Sequence, residues 1–333
     1  MGTTTKEDFR RLLCQLGQLT REAVVAARAD ATRNLAAVAH ETAADTIYEI
    51  DAAVEPQLLA WLSDHWPEEE PVRLVMEGIE ERTLFPSQAA AAKWVLIIDP
   101  IDGTRGLMYD LRPAWFLAAL APEKGEAQTR LSHLEVAVMT ELPTTRQYLA
   151  DTLSGIRGQG VLAERENLLT GKTKPFTPRP STATDFLGGF SWFARFFPEA
   201  KARLAEIEET FWDAIHPRTP AIPRNRPIFE DQYISCGGYL YELLTGKYRM
   251  VADLRPLAYQ ATGFTQGLPC HAYDLCTILL FQELGGIIEH PLGGPCDQLL
   301  DTTSGLVCVA YGNETLASRA RGPLKTAIQQ HLP

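Results

Sequence analysis

The sequence predicts an α/β (α+β) protein with an antiparallel-rich sheet in its N-terminal half and a smaller α/β sheet in its C-terminal half. Three observations predict it. Apolar runs of strand length crowd residues 94–150, helical spacing governs both ends of the chain, and strand-like and helical segments alternate beyond residue 160. A length of 333 residues suits two domains, and the glycines between Gly155 and Gly160 read as a turn dividing 1–160 from 161–333.

Composition narrows the function. With 45% apolar and 22% charged residues, this is the make-up of a globular protein. Its 31 basic and 42 acidic residues give a net charge of −11, which repels nucleic-acid polymers and anionic membranes. Six scattered cysteines without a Cys-x-x-Cys pair suggest free thiols in a reducing cytoplasm. The polar N-terminus and the absence of a long apolar run lead to the same cytoplasmic expectation.

In chain order, Phe9, Leu12, Leu13, Leu16, Leu19, Val24 and Val25 recur at helical spacing and predict a long amphipathic helix from Lys6 to about Asn34. Thr46–Ile50 alternates like a strand. Asp51 then stands where a helix can start, as its N-cap, with Val54, Leu58, Trp61 and Leu62 on one face. Val72–Met76 reads as a strand ending at Glu77.

The centre of the reading is Trp94–Thr104. Five apolar residues form a buried strand, and Asp99-Pro100-Ile101-Asp102-Gly103-Thr104 follows at once. Pro100 is expected to stop the ladder, and Gly103 to permit a backbone shape or close approach that a Cβ would block. Asp99 and Asp102 can then converge while the Gly103 and Thr104 amides are left to donate. Carboxylates beside amides suit a hard cation bridging to a phosphate.

Strands follow at 115–121, 134–139 and 146–150. Residues 171–185 and 217–227 read as surface loops, 185–190 as a strand and 198–215 as a helix. Ser235-Cys236-Gly237-Gly238 opens a helix that Gly246 ends; its amides can hold an anion or hydroxyl, or its small residues can serve tight packing. Asp274 stands at the mouth of a buried helix over 275–284, which a double glycine stops, and can cap it. Strands at 287–289 and 305–310 and a helix over 316–331 complete the chain.

Two motifs carry a resemblance. Asp99-Pro100-Ile101-Asp102-Gly103-Thr104, with Tyr273-Asp274 opening a helix that closes in Glu283-Leu284-Gly285-Gly286, resembles the signatures of the inositol monophosphatase and fructose-1,6-bisphosphatase superfamily of metal-dependent, lithium-sensitive phosphatases. The resemblance spans roughly Asp45 to Glu289 and implies a layered αβαβα sugar-phosphatase fold. Met76-Glu77-Gly78 departs from the family's Gly-Glu-Glu, which leaves Glu77 or Glu80 as the first metal ligand. Glu77 is preferred, because the tip of a buried strand is held more rigidly than the loop beyond. Tyr273 replaces the usual Trp.

By this resemblance Glu77, Asp99 and the Ile101 carbonyl hold one Mg²⁺, and Asp99, Asp102 and Asp274 a second, of two or three ions in all. Thr104, Asp51 and Glu77 take the catalytic positions, with Thr104 orienting the attacking water and Asp51 accepting its proton. The Gly103 and Thr104 amides hold phosphate, and Ser235, Cys236 and Gly237 touch the alcohol side of the substrate. A metal pair about 4 Å apart clamps the attacking and leaving oxygens of an in-line displacement.

The implied activity is a Mg²⁺-dependent phosphomonoesterase acting on a small phosphorylated polyol, sugar or nucleotide, in a homodimer. Alternatives are a 3′-phosphoadenosine or fructose-bisphosphate phosphatase, or a non-catalytic metal- or phosphate-binding member of the fold. Arg105 in place of the family's Asn, His40 near its metal-loop Lys, Arg249 near its acidic inositol-binding residue and the longer segment 254–268 speak against myo-inositol phosphate itself.

Overall fold

The computed structural model describes residues 4–29, 34–41, 46–217, 226–264 and 267–332, without the side chains of 40, 41, 46, 47 and 80–82. The side chains of His40 and of Glu80, the alternative first metal ligand, most of the loop expected at 217–227, and part of the segment 254–268 therefore lie outside what is described. No helix among those described is long and apolar enough to cross a membrane.

The chain opens on α1 (Lys6–Ala29). A ribbon of β1 (Val38–Glu41) and β2 (Thr46–Tyr48) leads into α2 (Glu49–His65), then β3 (Val72–Met76), β4 (Ile79–Phe85) and β5 (Trp94–Asp102). After α3 (Thr104–Met108) come β6 (Ala114–Pro122), β7 (Val136–Leu142), β8 (Leu149–Ile156), β9 (Val161–Asn167) and β10 (Lys172–Pro175). The second half holds β11 (Gly189–Phe193), α4 (Lys201–Ile215), β12 (Ile228–Phe229), α5 (Cys236–Leu244) and β13 (Tyr248–Asp253). It closes with α6 (Arg255–Thr262), α7 (Ile278–Glu283), β14 (Ile287–Glu289), β15 (Cys308–Tyr311) and α8 (Glu314–His331).

The first sheet has the order β10-β9-β8-β7-β6-β5-β3-β4 and is antiparallel except where β3 runs alongside β5. The second, β12-β11-β13-β15-β14, is mixed. Alternation of side chains along the strands gives the first sheet two apolar faces. One face buries Leu74, Leu96, Ile98 and Phe116 under Phe9, Leu13 and Leu16 of α1 and Val54 and Leu58 of α2. The other packs Val95, Ile97 and Leu117 against Tyr239 and Leu240 of α5 and Leu279 and Leu280 of α7. Beyond the second sheet, α4 and α8 bury Phe211, Leu316 and Leu324 on Met250 and Val309. The layers are thus α-β-α-β-α, as expected.

Several boundaries differ from the sequence reading. β9 and β10 lie past residue 160 and still pair with the first sheet, so the loop expected from 171 begins as an edge strand. The strand expected at 146–150 occupies 149–156, and that expected at 185–190 occupies 189–193. β4 was not foreseen. It forms a hairpin with β3 across Glu77 and Gly78.

Candidate active site

Register brings the carboxylates together. Met76 pairs with Ile98, and the Glu77 amide donates to the Ile98 carbonyl at 3.3 Å, so Glu77 stands beside Asp99 at the end of the parallel pair. Glu77 lies two residues after Val75 on the face turned toward the second sheet, as does Asp99 after Ile97.

Asp102 ought to point the opposite way, since it stands three positions beyond Asp99. The backbone prevents this. Asp99 pairs with Leu117 and Asp102 with Trp115, so β5 carries one more residue than β6 across this step, a bulge at Pro100 and Ile101. The expectation that Pro100 ends the ladder is corrected accordingly: the strand absorbs the proline as a bulge and resumes pairing. The extra residue turns Ile101 into the α1–α2 side core and Asp102 toward α5.

The start of α5 meets Asp102. The Ser235 hydroxyl donates to its carboxylate at 2.7 Å, the Cys236 amide at 3.1 Å and the Gly237 amide at 2.6 Å. Ser235 also N-caps the helix, accepting the Gly238 amide at 2.8 Å. The expected anion-holding helix start is occupied by a carboxylate of the protein itself. Close approach explains the small residues: a Cβ on Gly237 would come 2.6 Å from a Leu117 methyl, and one on Gly103, at φ +98°, 2.9 Å from the Ser235 Cβ.

Asp274 arrives from the second half of the chain. It does not cap the buried helix, which begins only at Ile278; its Oδ2 instead accepts the His271 amide at 2.5 Å and fixes the turn before the helix. Oxygens of Asp99, Asp102 and Asp274 lie within 4.8 Å of one another. Asp99 is 2% and Asp102 5% exposed. Burial, with Asp102 and Asp274, pushes Asp99 well above the usual carboxylate range. Burial and then Asp274 raise Asp102 to about 7 against the pull of its three donors. Two buried acids and the half-buried Asp274 this close, all offering oxygen ligands, form a set that a divalent cation would neutralise.

Asp51 is the third residue of α2, not its N-cap. Tyr48 precedes the helix, and Asp51 Oδ2 accepts the Tyr48 amide at 2.9 Å, reaching back over the first turn. Its Oδ1 lies 3.1 Å from the Thr104 hydroxyl, which is also 2.7 Å from the Ile101 carbonyl. One hydroxyl proton serves either acceptor at a time.

Facing the carboxylates, Arg105, Phe196, Phe197, Arg255, Leu268 and Pro269 complete the cleft. Arg255 is buried and paired with the fully buried Asp253 through two bonds, its third going to the Leu268 carbonyl, and it lies over the Phe196 ring. Apart from Arg105, the sequence reading did not single these residues out. Phe196 and Phe197 lie in a loop without periodicity, and Asp253 and Arg255 show their pairing only once β13 gives way to α6. Arg249 stands away from the carboxylates, bonded to the Asp185 and Leu187 carbonyls.

No protein-family model matches the chain, and no curated protein sequence does. Solved structures do. The extragenic suppressor protein SuhB of Bartonella henselae aligns over 95% of this chain and 97% of its own, with a TM-score of 0.63 and 15% identity. Mycobacterium tuberculosis SuhB aligns over 99% and 100% at 0.61 and 13% identity. An inositol monophosphatase of Zymomonas mobilis aligns over 97% and 100% at 0.55 and 16% identity. Identities this low speak for architecture, and the chain has the fold of the SuhB and inositol monophosphatase structures.

Proposed function

We propose that the protein is a Mg²⁺-dependent phosphomonoesterase acting on a small phosphorylated polyol, sugar or nucleotide. The observation that carries this reading is the convergence of Asp99, Asp102 and Asp274 within 4.8 Å, with Glu77 beside Asp99 at the end of the parallel strand pair. A fold shared with an inositol monophosphatase supports it.

The oxygen-only donor set fits Mg²⁺. Glu77, Asp99 and the Ile101 carbonyl would hold one ion, and Asp99, Asp102 and Asp274 another. Bound there, Mg²⁺ would supply the positive charge that draws in phosphate and makes water acidic enough to attack.

The protein's own groups do the rest. The Thr104 hydroxyl accepts a hydrogen bond from the attacking water and passes its own proton toward Asp51 Oδ1, 3.1 Å away. Asp51 is held for this by the Tyr48 amide. The Gly103 and Thr104 amides serve the phosphate oxygens as charge develops. Ser235, Cys236 and Gly237 act on the substrate at one remove, by fixing Asp102. Phe196, Phe197 and Arg105 form the wall that the alcohol portion meets.

The test is phosphate release from a panel of sugar, polyol and nucleotide monoesters, with Mg²⁺ and with chelator, on wild type and Asp102→Asn. Release that needs Mg²⁺ and disappears in the variant supports the reading. Release that persists in chelator overturns it.

A further inference from the structure

Asp274 belongs to a second cluster. Its carboxylate also lies with the sulfurs of Cys236 and Cys270, all three ligand atoms within 4.8 Å of one another. Cys236 is the first residue of α5, and Cys270 sits where the chain bridges to Leu306. The Cys270 thiol donates to the His271 carbonyl at 3.6 Å. Cys236 and Asp274 line the cleft, and Cys270 is fully buried behind them. The phosphatase chemistry uses neither sulfur.

Donor chemistry separates the two clusters. Carboxylates and a carbonyl suit Mg²⁺, whereas thiolates select zinc and its softer neighbours. Two sulfurs and one carboxylate oxygen make three protein ligands, which leaves a coordination position open toward the cleft. We propose that Cys236, Cys270 and Asp274 form a site for a thiophilic divalent cation of the zinc class, distinct from the oxygen-only set and sharing Asp274 with it. Binding releases the two thiol protons to solvent.

Asp274 cannot serve both sites fully. An ion held by the sulfurs draws it from Asp99 and Asp102, so occupancy of this site lowers Mg²⁺-dependent turnover. That consequence rests on the phosphatase reading; the site itself does not.

The test uses Co²⁺ as the probe on the reduced full chain in excess Mg²⁺. A thiolate-to-cobalt charge-transfer band is expected to saturate at one equivalent and to vanish on adding Zn²⁺. Cys270→Ala and Cys270→Ser are expected to weaken Co²⁺ binding by more than about tenfold, since the loss of even an outer partner of a metal ligand costs that much. Absence of the band in wild type, or an undiminished band in both folded variants, overturns the site. X-ray absorption at the zinc edge on wild type needs no variant: two sulfurs around the ion support the site, and a shell without sulfur overturns it. Where phosphate release is measurable, Zn²⁺ inhibits wild type at lower concentration than Cys270→Ala. The cobalt and zinc readouts stand even if no phosphatase activity is found.

Discussion

Asp99 and Asp102 face the same side of β5 although three positions separate them, because the strand carries one residue more than β6 at Pro100 and Ile101. The two buried carboxylates are thereby brought against the half-buried Asp274, where each opposes the charge of the others. Asp102→Asn relieves that repulsion and removes a cation ligand at once. Phosphate release should fall roughly a thousandfold, the equivalent of several kcal/mol of lost charge stabilisation. Meanwhile the metal-free protein should melt at a higher temperature than wild type. A variant that keeps full activity would refute the role given to Asp102.

Glu77 and Glu80 are separated by the β3–β4 hairpin, and only Glu77 continues the parallel register beside Asp99. Glu77→Gln should therefore raise the Mg²⁺ concentration needed for half-maximal turnover, and Glu80→Gln should leave it close to wild type. Titrating activity against Mg²⁺ in both variants decides the matter, and the reverse order would move the ligand to Glu80.

This part of the molecule also marks the limit of sequence legibility. The apolar run Trp94–Ile98 and the paired aspartates announce a strand delivering carboxylates to its tip, whereas the layers were expected from the family resemblance and not from the strand and helix periods themselves. The bulge was not legible, since a proline after an apolar run reads as a stop until a neighbouring strand resumes pairing beyond it. Nor was the employment of the α5 amides, because nothing local to Ser235-Cys236-Gly237 says that Asp102, far away in sequence, will occupy them. The helix-capping alternative offered for Asp51 and Asp274 does not describe their local bonds. Their partners, Tyr48 and His271, are each three residues upstream, where a turn supplies the donor.

Thr104 and Asp51 form one unit through a hydroxyl-to-carboxylate contact of 3.1 Å. Thr104→Ala and Asp51→Asn should each lower kcat by about 10²- to 10⁴-fold with little change in KM, as expected for proton transfer to the attacking water. Because they act together, the double variant should be scarcely worse than either single one. Thr104→Ser should recover much of the loss. Additive effects in the double variant would argue for separate roles.

Gly237→Ala probes the contact between α5 and Asp102. The added methyl meets Leu117 at 2.6–2.8 Å and the Asp102 carboxylate at 2.9 Å. Overpacking of this kind costs about 1–3 kcal/mol. Denaturant unfolding should register that loss, and weaker Mg²⁺ activation should accompany it as Asp102 is displaced. Destabilisation with unaltered Mg²⁺ dependence would show that α5 supports the fold without positioning the ligand.

The charge cluster also sets a pH dependence with a definite sign. Asp102 holds its proton up to about pH 7 in the folded chain, against about 3.9 in an unfolded one. Between these values the folded state keeps a proton that the unfolded state has lost. Stability of the metal-free protein is then fully present below the unfolded value and lost as pH rises through the folded one, and Asp99, displaced in the same direction by burial, steepens the decline. Melting temperatures in chelator, recorded from about pH 5 to 8, should fall with rising pH, and the slope should shrink in Asp102→Asn. Mg²⁺ prefers the ionised carboxylates, so its stabilising effect should grow over the same range. A melting temperature indifferent to pH in chelator would mean that the carboxylates already ionise freely without a cation, and the electrostatic case for a metal at this site would fail.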